Sequence, residues 1–406
     1  MDALMLPLNW QRVRLGDIAE INPPTTIPNV FYYIDLENVE KGQLLNKQLM
    51  TKNKAPSRAR RLLSKNDILY QLVRPYQRNN YFFTLNGNYV ASTGYAQIRT
   101  LQNPSFLYFA LHSNYFVNAV LDRCEGTSYP AISSNELKKC EVILPPLNEQ
   151  AAIANILSDV DHYLYSLDAL ILKKESVKKA LSFELLSQRK RLKGFNQALQ
   201  KVRLGDICEI GNGGAYETLI VENGDFKLIS LNSIDIDGNL KNTMKRVNFY
   251  DNSLKQDDIV MVLSDVAHGD FLGLCAVIPN NDYVLNQHMG RLRKKNDCIN
   301  ILFLRLYINA NQKYFKMQGQ GSSQLNLSKK AIEDFEILLP PLNEQAAIAN
   351  ILSGLDSEII SLKNKKRQFE NIKKALNHDL MSAKIRVLKN KTPQKSRANP
   401  LFKGNP

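Results

Sequence analysis

Side chains of the types that do chemistry are present but scattered. His112, His162, His288 and His378 stand far apart, and no nucleophile and base occur at a recognisable spacing, although triad partners need not be neighbours in sequence. Asp265, His268 and Asp270 put metal-ligand types close together, a candidate cation site set against an ordinary polar loop. Gly211-Asn-Gly-Gly214 follows a strand-like run. It lacks the spacing of a dinucleotide loop and the lysine of a phosphate loop, so it reads as a turn. Asn22-Pro-Pro-Thr25 has the first three residues of an N-P-P-[YF] loop, in which an aromatic ring stacks on a flipped base. Thr25 stands where the ring is needed and no glycine-rich cofactor loop accompanies it, so a proline turn is the better reading. No cofactor, metal or catalytic residue is assigned, and the chain reads as a non-enzyme.

Binding chemistry is better represented. Lys52, Lys54, Arg58, Arg60, Arg61 and Lys65 crowd one segment, with Arg74 and Arg78 close behind and Tyr76 and Tyr81 interleaved. Such a cluster can neutralise phosphates, and arginine can also fork onto guanine. A second group comprises Lys241, Lys245, Arg246, Arg291, Arg293, Lys294 and Lys295. Gln320, Ser322 and Gln324 sit in a flexible loop whose amides suit adenine edges. The plain alternative for each run is a solvated surface. The whole chain is basic, 53 Lys+Arg against 39 Asp+Glu and a net charge of +14, which favours a polyanionic partner.

These groups lie in two variable regions bounded by repeated markers. LPPLNEQAAIANILS runs from Leu144 to Ser158 and recurs unchanged from Leu339 to Ser353; VRLGDI occurs at Val13–Ile18 and Val202–Ile207. A weaker echo links Gly126-Thr-Ser128 and Ser133 to Gly321-Ser-Ser323 and Ser328. Between the markers the copies diverge. Identical segments require identical surroundings, whereas divergent segments on one frame suit two different targets.

After each Pro-Pro pair, apolar residues recur at steps of three and four. They are Ile153, Leu157, Val160, Leu164, Leu167 and Ile171, then Val177, Leu181 and Leu185; the second set is Ile348, Leu352, Leu355, Ile359 and Leu362, then Phe369, Ile372, Leu376 and Leu380. This predicts two amphipathic helices with a coiled-coil seam, opened by proline and, for the first, ended by Gly194 and the polar stretch after it. A helix of about 40 residues would span roughly 60 Å. Neither can bury its stripe alone, so they are expected to pair antiparallel. Leu147, Glu149, Gln150, Ile153 and Leu157, with Leu342, Glu344, Gln345, Ile348 and Leu352, are the candidates for the helix pair and for docking a partner.

The variable regions mix short strand-like runs, such as Phe31–Ile34, Asp67–Tyr70 and Asp258–Met261, with helical stretches at Pro104–Leu121 and Ile299–Phe315. The expected fold class is therefore α/β (α+β): two tandem domains in a pseudo-twofold repeat, separated by two long antiparallel coiled-coil helices. The expected boundaries are 1–143 and 195–338 for the domains, 144–194 and 339–388 for the helices, and 389–406 for a basic, disordered tail.

Length and hydropathy exclude other classes. The 406 residues suffice for two domains. There is no long apolar run and no signal-like N-terminus, so neither membrane nor export is expected. Five dispersed cysteines, none in a C-x-x-C pair, fit reduced thiols in a cytoplasm.

Two divergent regions, each opened by a V-x-L-G-[DE]-I-like marker and closed by L-P-P-L-x-E-Q-x-x-I, resemble the specificity subunit of type I restriction-modification systems. Ala91-Ser-Thr-Gly-Tyr95 and Leu285-Asn-Gln-His288, each followed by a basic-apolar strand ending at Arg99 or Arg293, also resemble that family. The resemblance implies two target-recognition domains that read the halves of a split site in double-stranded DNA. It implies helices that act as a ruler and dock two adenine methyltransferase subunits, which carry S-adenosylmethionine, and through them restriction (motor-nuclease) subunits. The specificity subunit itself catalyses nothing. The other reading is a coiled-coil interaction scaffold without DNA readout.

Overall fold

The computed structural model describes residues 6–266 and 269–387, the side chain of Val266 excepted. His268 and the tail 389–406 lie outside the described residues. Two compact units form. One comprises Met1–Asp168 with Asn364–Pro406, the other Ala169–Lys363.

In the first unit the marker strand Gln11–Arg14 pairs antiparallel with Glu141–Leu144, Gln11 opposite Leu144. In the second, Gln200–Arg203 pairs with Glu336–Leu339 in the same register, Gln200 opposite Leu339. Each variable region is thus pinched shut by its own two markers. The glycine of VRLGDI is required by close approach: a Cβ on Gly16 would lie 3.1 Å from Lys138 Cβ, and one on Gly205 2.9 Å from Glu333 Cβ.

Between the markers each region builds two larger sheets and, among the described residues, one small two-stranded one, Val39–Glu40 with Gln43–Leu44 in the first unit and Ser264–Val266 with Gln324–Asn326 in the second. In the first unit Ala19–Ile21, Tyr95–Thr100, Ile68–Gln71 and Tyr81–Phe82 form an antiparallel sheet, and Gln48–Thr51, Val30–Ile34, Tyr89–Ser92 and Ala59–Leu62 a mixed one. In the second, Cys208–Asn212, Met289–Lys294, Ile259–Val262 and Cys275–Val277 correspond to the former, and Arg246–Val247, Phe226–Ile229 and Tyr283–Leu285 to the latter. The parallel pairing of Tyr89–Ser92 with Val30–Ile34 recurs as Tyr283–Leu285 with Phe226–Ile229. The expected strands are therefore present. Each expected helical stretch is two helices, Pro104–Ala110 with Asn114–Leu121 and Ile301–Ala310 with Gln312–Gln318. Ser113 breaks the first as the cap of the second helix, accepting from Phe116 N.

The long helices are Leu147–Leu186 and Leu342–Met381. Their first turns dock into the cores: Ile153, Ala154 and Leu157 pack with Leu15, Phe106 and Leu137, while Ile348, Ala349 and Leu352 pack with Leu204, Phe303 and Ile332. Within the first unit Asp161 meets Lys373, Asp168 meets Lys366 at 2.5 Å, and the Tyr163 and Phe369 rings lie 4.5 Å apart. Within the second, Lys178 meets Asp356, Lys174 meets Glu358 at 2.8 Å and Glu175 meets Lys363 at 2.7 Å. Numbers rise on one partner as they fall on the other, so the segments run antiparallel in each unit.

Two expectations need correction. The seam does not include Val177 and Ile372, which are 40% and 49% exposed; the slip in the apolar repeat turns both outward. The first helix also ends before Gly194. Gln188 takes a left-handed φ of 57° and Ala383, after the second helix, one of 55°. Gln188 N then donates to Leu185 O and Ala383 N to Leu380 O, the C′-to-C2 bond of a left-handed helix stop that glycine usually supplies.

A half-buried histidine gives the first unit a pH dependence. The His112 ring lies 4.5 Å from that of Tyr108, and its Nδ1 is 2.7 Å from Tyr108 O. Burial, with Lys373 and Arg78 nearby, lowers its pKa to about 4. The unfolded chain takes up this proton near 6.5 and the folded one only near 4. Stability should therefore be full above pH 6.5 and fall by about 2 kcal/mol on acidification to 4, the ring's partial solvent contact trimming the full linkage value. His112→Phe should flatten that slope in chemical denaturation between pH 4 and 7; an unchanged slope would place its origin elsewhere.

Candidate nucleic-acid interface

The P-P-L-N-E-Q segments prove to be structural clamps. Gln150 Nε2 donates to Pro145 O at 2.8 Å and to Gln102 Oε1 at 3.1 Å, while its Oε1 accepts from Asn103 N at 3.1 Å. Gln345 Nε2 donates to Pro340 O at 2.8 Å and Cys298 O at 3.0 Å, and its Oε1 accepts from Asn300 N at 2.8 Å. Asn103 and Asn300 are themselves the caps of helices Pro104–Ala110 and Ile301–Ala310. One amide thus ties each long helix to the domain before it. The neighbouring glutamate binds an arginine beyond the other helix's end: Arg386 Nε donates to Glu149 Oε1 at 2.7 Å, and Arg191 Nε to Glu344 Oε1 at 2.8 Å. Trp10 Nε1 also donates to Glu149, at 3.1 Å.

Of the residues expected at the helix pair or a docking face, Glu149, Gln150, Ile153, Leu157, Glu344, Gln345, Ile348 and Leu352 are buried in their own units, and Leu147 and Leu342 are exposed. Sequence identity at the buried positions is accounted for by these internal bonds.

The basic candidates divide by what already occupies them. Lys52, Lys54, Lys65 and Lys241 are exposed. Arg58 pairs with Asp35 at 3.0 Å, Arg60 donates to Ser57 O, and Arg78 binds His112 O and Asn114 Oδ1. Lys245 pairs with Glu217, Arg246 donates to Gly224 O, and Arg291 binds Glu209 and Ser253 O. Lys294 pairs with Asp297, and Lys295 donates to Gly205 O. Arg61 and Arg74 each keep a buried Nε without an acceptor.

Arg293 illustrates an internal role. Its Nε and Nη2 donate to the Asp258 carboxylate at 2.8 and 2.6 Å, and Asp258 also accepts from Lys255 N at 2.8 Å. Arg99 makes the same fork onto Asp67 in the first domain, at 2.9 Å. The side-chain hydrogen bond that Arg293 donates to Asp258 raises the arginine's pKa. Arg293→Ala should cost about 2 to 4 kcal/mol, below a fully enclosed pair because the arginine keeps some solvent contact. Denaturant unfolding checks this; a loss under 1 kcal/mol would assign the arginine to something other than the fold.

Sequence reading missed the rim on which the variable loops converge. In the first domain Glu125 and Ala131 exchange backbone hydrogen bonds, closing a hairpin over Gly126-Thr-Ser-Tyr129, and Val73 bridges to Ala131. In the second, Gln320 and Asn326 close a hairpin over Gly321-Ser-Ser-Gln324, and Ser264 pairs with Asn326. Gln320, Ser322 and Gln324 are all exposed on this hairpin. In the second domain the polar loop of Gln320, Ser322 and Gln324 signalled it, and in the first only the faint Gly-x-Ser echo did. Asp265 lies here too, its Oδ2 accepting from Phe271 N at 2.7 Å. Among the described residues no cluster of histidine, cysteine and carboxylates could hold a metal, and no helix is long and apolar enough to cross a membrane. Gly211 and Asn212 end the strand Cys208–Asn212 instead of forming the expected turn, and Gly213 and Gly214 lie against the backbone that follows the strand Tyr283–Leu285: a Cβ on Gly213 would meet Asn286 O at 2.1 Å.

Two matching rims with different side chains, on one duplicated frame, define a class: a two-domain recognition protein whose halves face different targets. The family model described as type I restriction modification DNA specificity domain matches residues 7–174 and again 196–371. The chain belongs to that family. It is 26% identical over 422 residues to the specificity subunit of the type I restriction enzyme MjaVIII of Methanocaldococcus jannaschii, covering 95% of each. It is 28% identical over 169 residues to the HindI specificity subunit of Haemophilus influenzae, 38% of this chain and 35% of that one. The fold is shared with the S subunit from M. genitalium, at a TM-score of 0.59 and 18% identity over 92% of this chain and 98% of that one. It is also shared with the HsdS subunit from Thermoanaerobacter tengcongensis, at 0.51 and 21% over 94% and 98%.

Proposed function

We propose that this chain is the DNA-recognition subunit of a type I restriction-modification complex, acting in the cytoplasm on a bipartite, asymmetric double-stranded site. The observation that carries this is the pair of equivalent hairpins, 125–131 and 320–326, built on identical clamps but bearing Tyr129 in one and Gln324 in the other. A common frame with different reading edges is what an asymmetric split target requires. The net charge of +14 supplies the electrostatic part of binding.

The chain contributes recognition and no bond chemistry. Two adenine methyltransferase subunits, holding S-adenosylmethionine, dock on its repeated segments and bring restriction subunits with them. Because the glutamate and glutamine of each clamp are buried, docking contacts fall on the exposed Leu147, Asn148, Leu342 and Asn343 and on the outward helix faces beside them. The exposed candidates whose side chains have no partner among the described residues, Lys52, Lys54, Lys65 and Lys241, contact phosphates. The two helices of 40 residues set the gap between half-sites.

Methylome sequencing of cells expressing the chain with its methyltransferase partner tests the reading. The expected result is adenine methylation within a split motif of fixed gap. A continuous motif, or none from an active pair, would sink it.

A further inference from the structure

We infer that Arg74, laid on the ring of Tyr129, reads a guanine in the half-site of the first domain. The inference rests on the DNA-recognition reading above and names the residue that performs it. The Arg74 guanidinium carbon lies 4.1 Å from the Tyr129 ring centroid. That contact holds the guanidinium against the ring; with Nε buried, the terminal amino groups Nη1 and Nη2 are the donors left for the fork that guanine O6 and N7 accept in the major groove. No described residue accepts from it, and its Nε is buried without a partner. Arg61 and Arg291 also keep a buried Nε without a partner, but the terminal nitrogens of Arg291 are taken by Ser253 O and Glu209. Arg58, Arg78, Arg246 and Arg293 have their acceptors. Among these arginines Arg74 is the one with its guanidinium over an exposed ring.

The backbone is arranged to hold this side chain out. Arg74 has φ 54° and ψ 53°, the left-handed region. A non-glycine residue there carries strain that persists only where its surroundings impose it, and such strain collects at functional sites. Here Arg74 N donates to Pro130 O at 2.7 Å, Gln77 N donates to Arg74 O at 3.0 Å, and Pro75 is buried behind them. Tyr129, against the guanidinium, is 64% exposed, and Tyr76, two residues on in the chain, is 49% exposed. Both rings are oversized for a solvated turn and suited to contact with a base or its sugar.

Divergence between the copies points the same way. Val73 and Ser264 occupy the same place against the two hairpins, so Arg74 corresponds to Asp265 and Tyr129 to Gln324. Asp265 is buried and turned inward onto Phe271 N. One rim position thus serves the fold in the second domain and faces outward in the first. The clamps, by contrast, keep the same residues in both domains.

The test is the methylome of cells carrying the methyltransferase partner and the full chain as wild type, Arg74→Lys or Tyr129→Ala. Lysine keeps the charge and loses the fork, so one guanine of one half-site should become degenerate. Discrimination there should fall roughly 5- to 150-fold, as for loss of a bidentate base contact, with the other half-site and the gap unchanged. Tyr129→Ala should loosen the same position less. The intact second half-site reports that the chain is folded and assembled. An unchanged motif with Arg74→Lys overturns the inference, and so does an even loss over all positions, which marks a phosphate contact. A wild-type complex with no split motif overturns the recognition reading and this inference together; a split motif that Arg74→Lys leaves alone overturns this inference only.

Discussion

Arg191→Ala should cost the second unit about 3 to 5 kcal/mol, the range for stripping a buried carboxylate of its counter-charge. Glu344 is fully buried, and Arg191 grips it from both nitrogens of its fork, Nε lying 2.8 Å from Oε1 and 3.1 Å from Oε2. Removing the arginine leaves a buried carboxylate without its charge partner. Removing both charges is a different matter. The double variant Arg191→Leu with Glu344→Leu loses the attraction but also the desolvation cost, so it should be less damaged than Arg191→Ala. Equilibrium unfolding of the three proteins checks this. Equal losses in single and double variants would mean that the side chains act through packing and not through charge. The first unit offers an internal repeat of the experiment in Arg386 and Glu149, held at 2.7 Å.

The second large effect is expected from Gln345→Glu. This is nearly isosteric, yet it places a carboxylate against two carbonyl oxygens, Pro340 O and Cys298 O, that now accept hydrogen bonds from the amide. A buried anion facing acceptors should cost about 3 to 5 kcal/mol at neutral pH. The sign with pH is distinctive. Burial and repulsion raise the introduced carboxyl's pKa in the folded state above its unfolded value. Its protonated form can donate to Pro340 O, so the penalty should be least below the unfolded value, near 4.3, and should grow as pH rises. A pH-independent loss would show that shape, not charge, is what the position demands. Gln345→Ala would then serve as the control for lost volume.

Both experiments concern residues that the sequence marked as special without saying why. The repeat made Glu149, Gln150, Glu344 and Gln345 conspicuous, and an outward docking role was one way to explain them. Their partners lie far along the chain: Gln345 answers Cys298 and Asn300, and Glu149 answers Trp10 and Arg386. No local pattern specifies such pairs. The same holds for Arg293, whose place in a basic run suggests a polyanion and whose fork is closed on Asp258. Charge composition counts cations but does not show which are already engaged.

What the sequence determined by itself was the architecture. Duplication is a statement about order along the chain, and the apolar period of the segments after each Pro-Pro pair is a statement about one helix face. Both survive without knowledge of contacts, so the two long helices, the paired domains and the family resemblance were legible. The tertiary structure decided which copies of a residue are spent inside. It closed the markers into a strand pair, turned Val177 and Ile372 out of the seam, and ended the helices at Gln188 and Ala383 in place of glycine. It also brought Arg74 to Tyr129, from loops on separate parts of the first domain. The reason is physical: helix formation and repetition are encoded at short range, whereas a hydrogen-bond acceptor or a stacking ring is supplied by whatever the fold carries alongside. The duplication predicts that a rim exists twice, and only the folded chain shows which side chains stand on it.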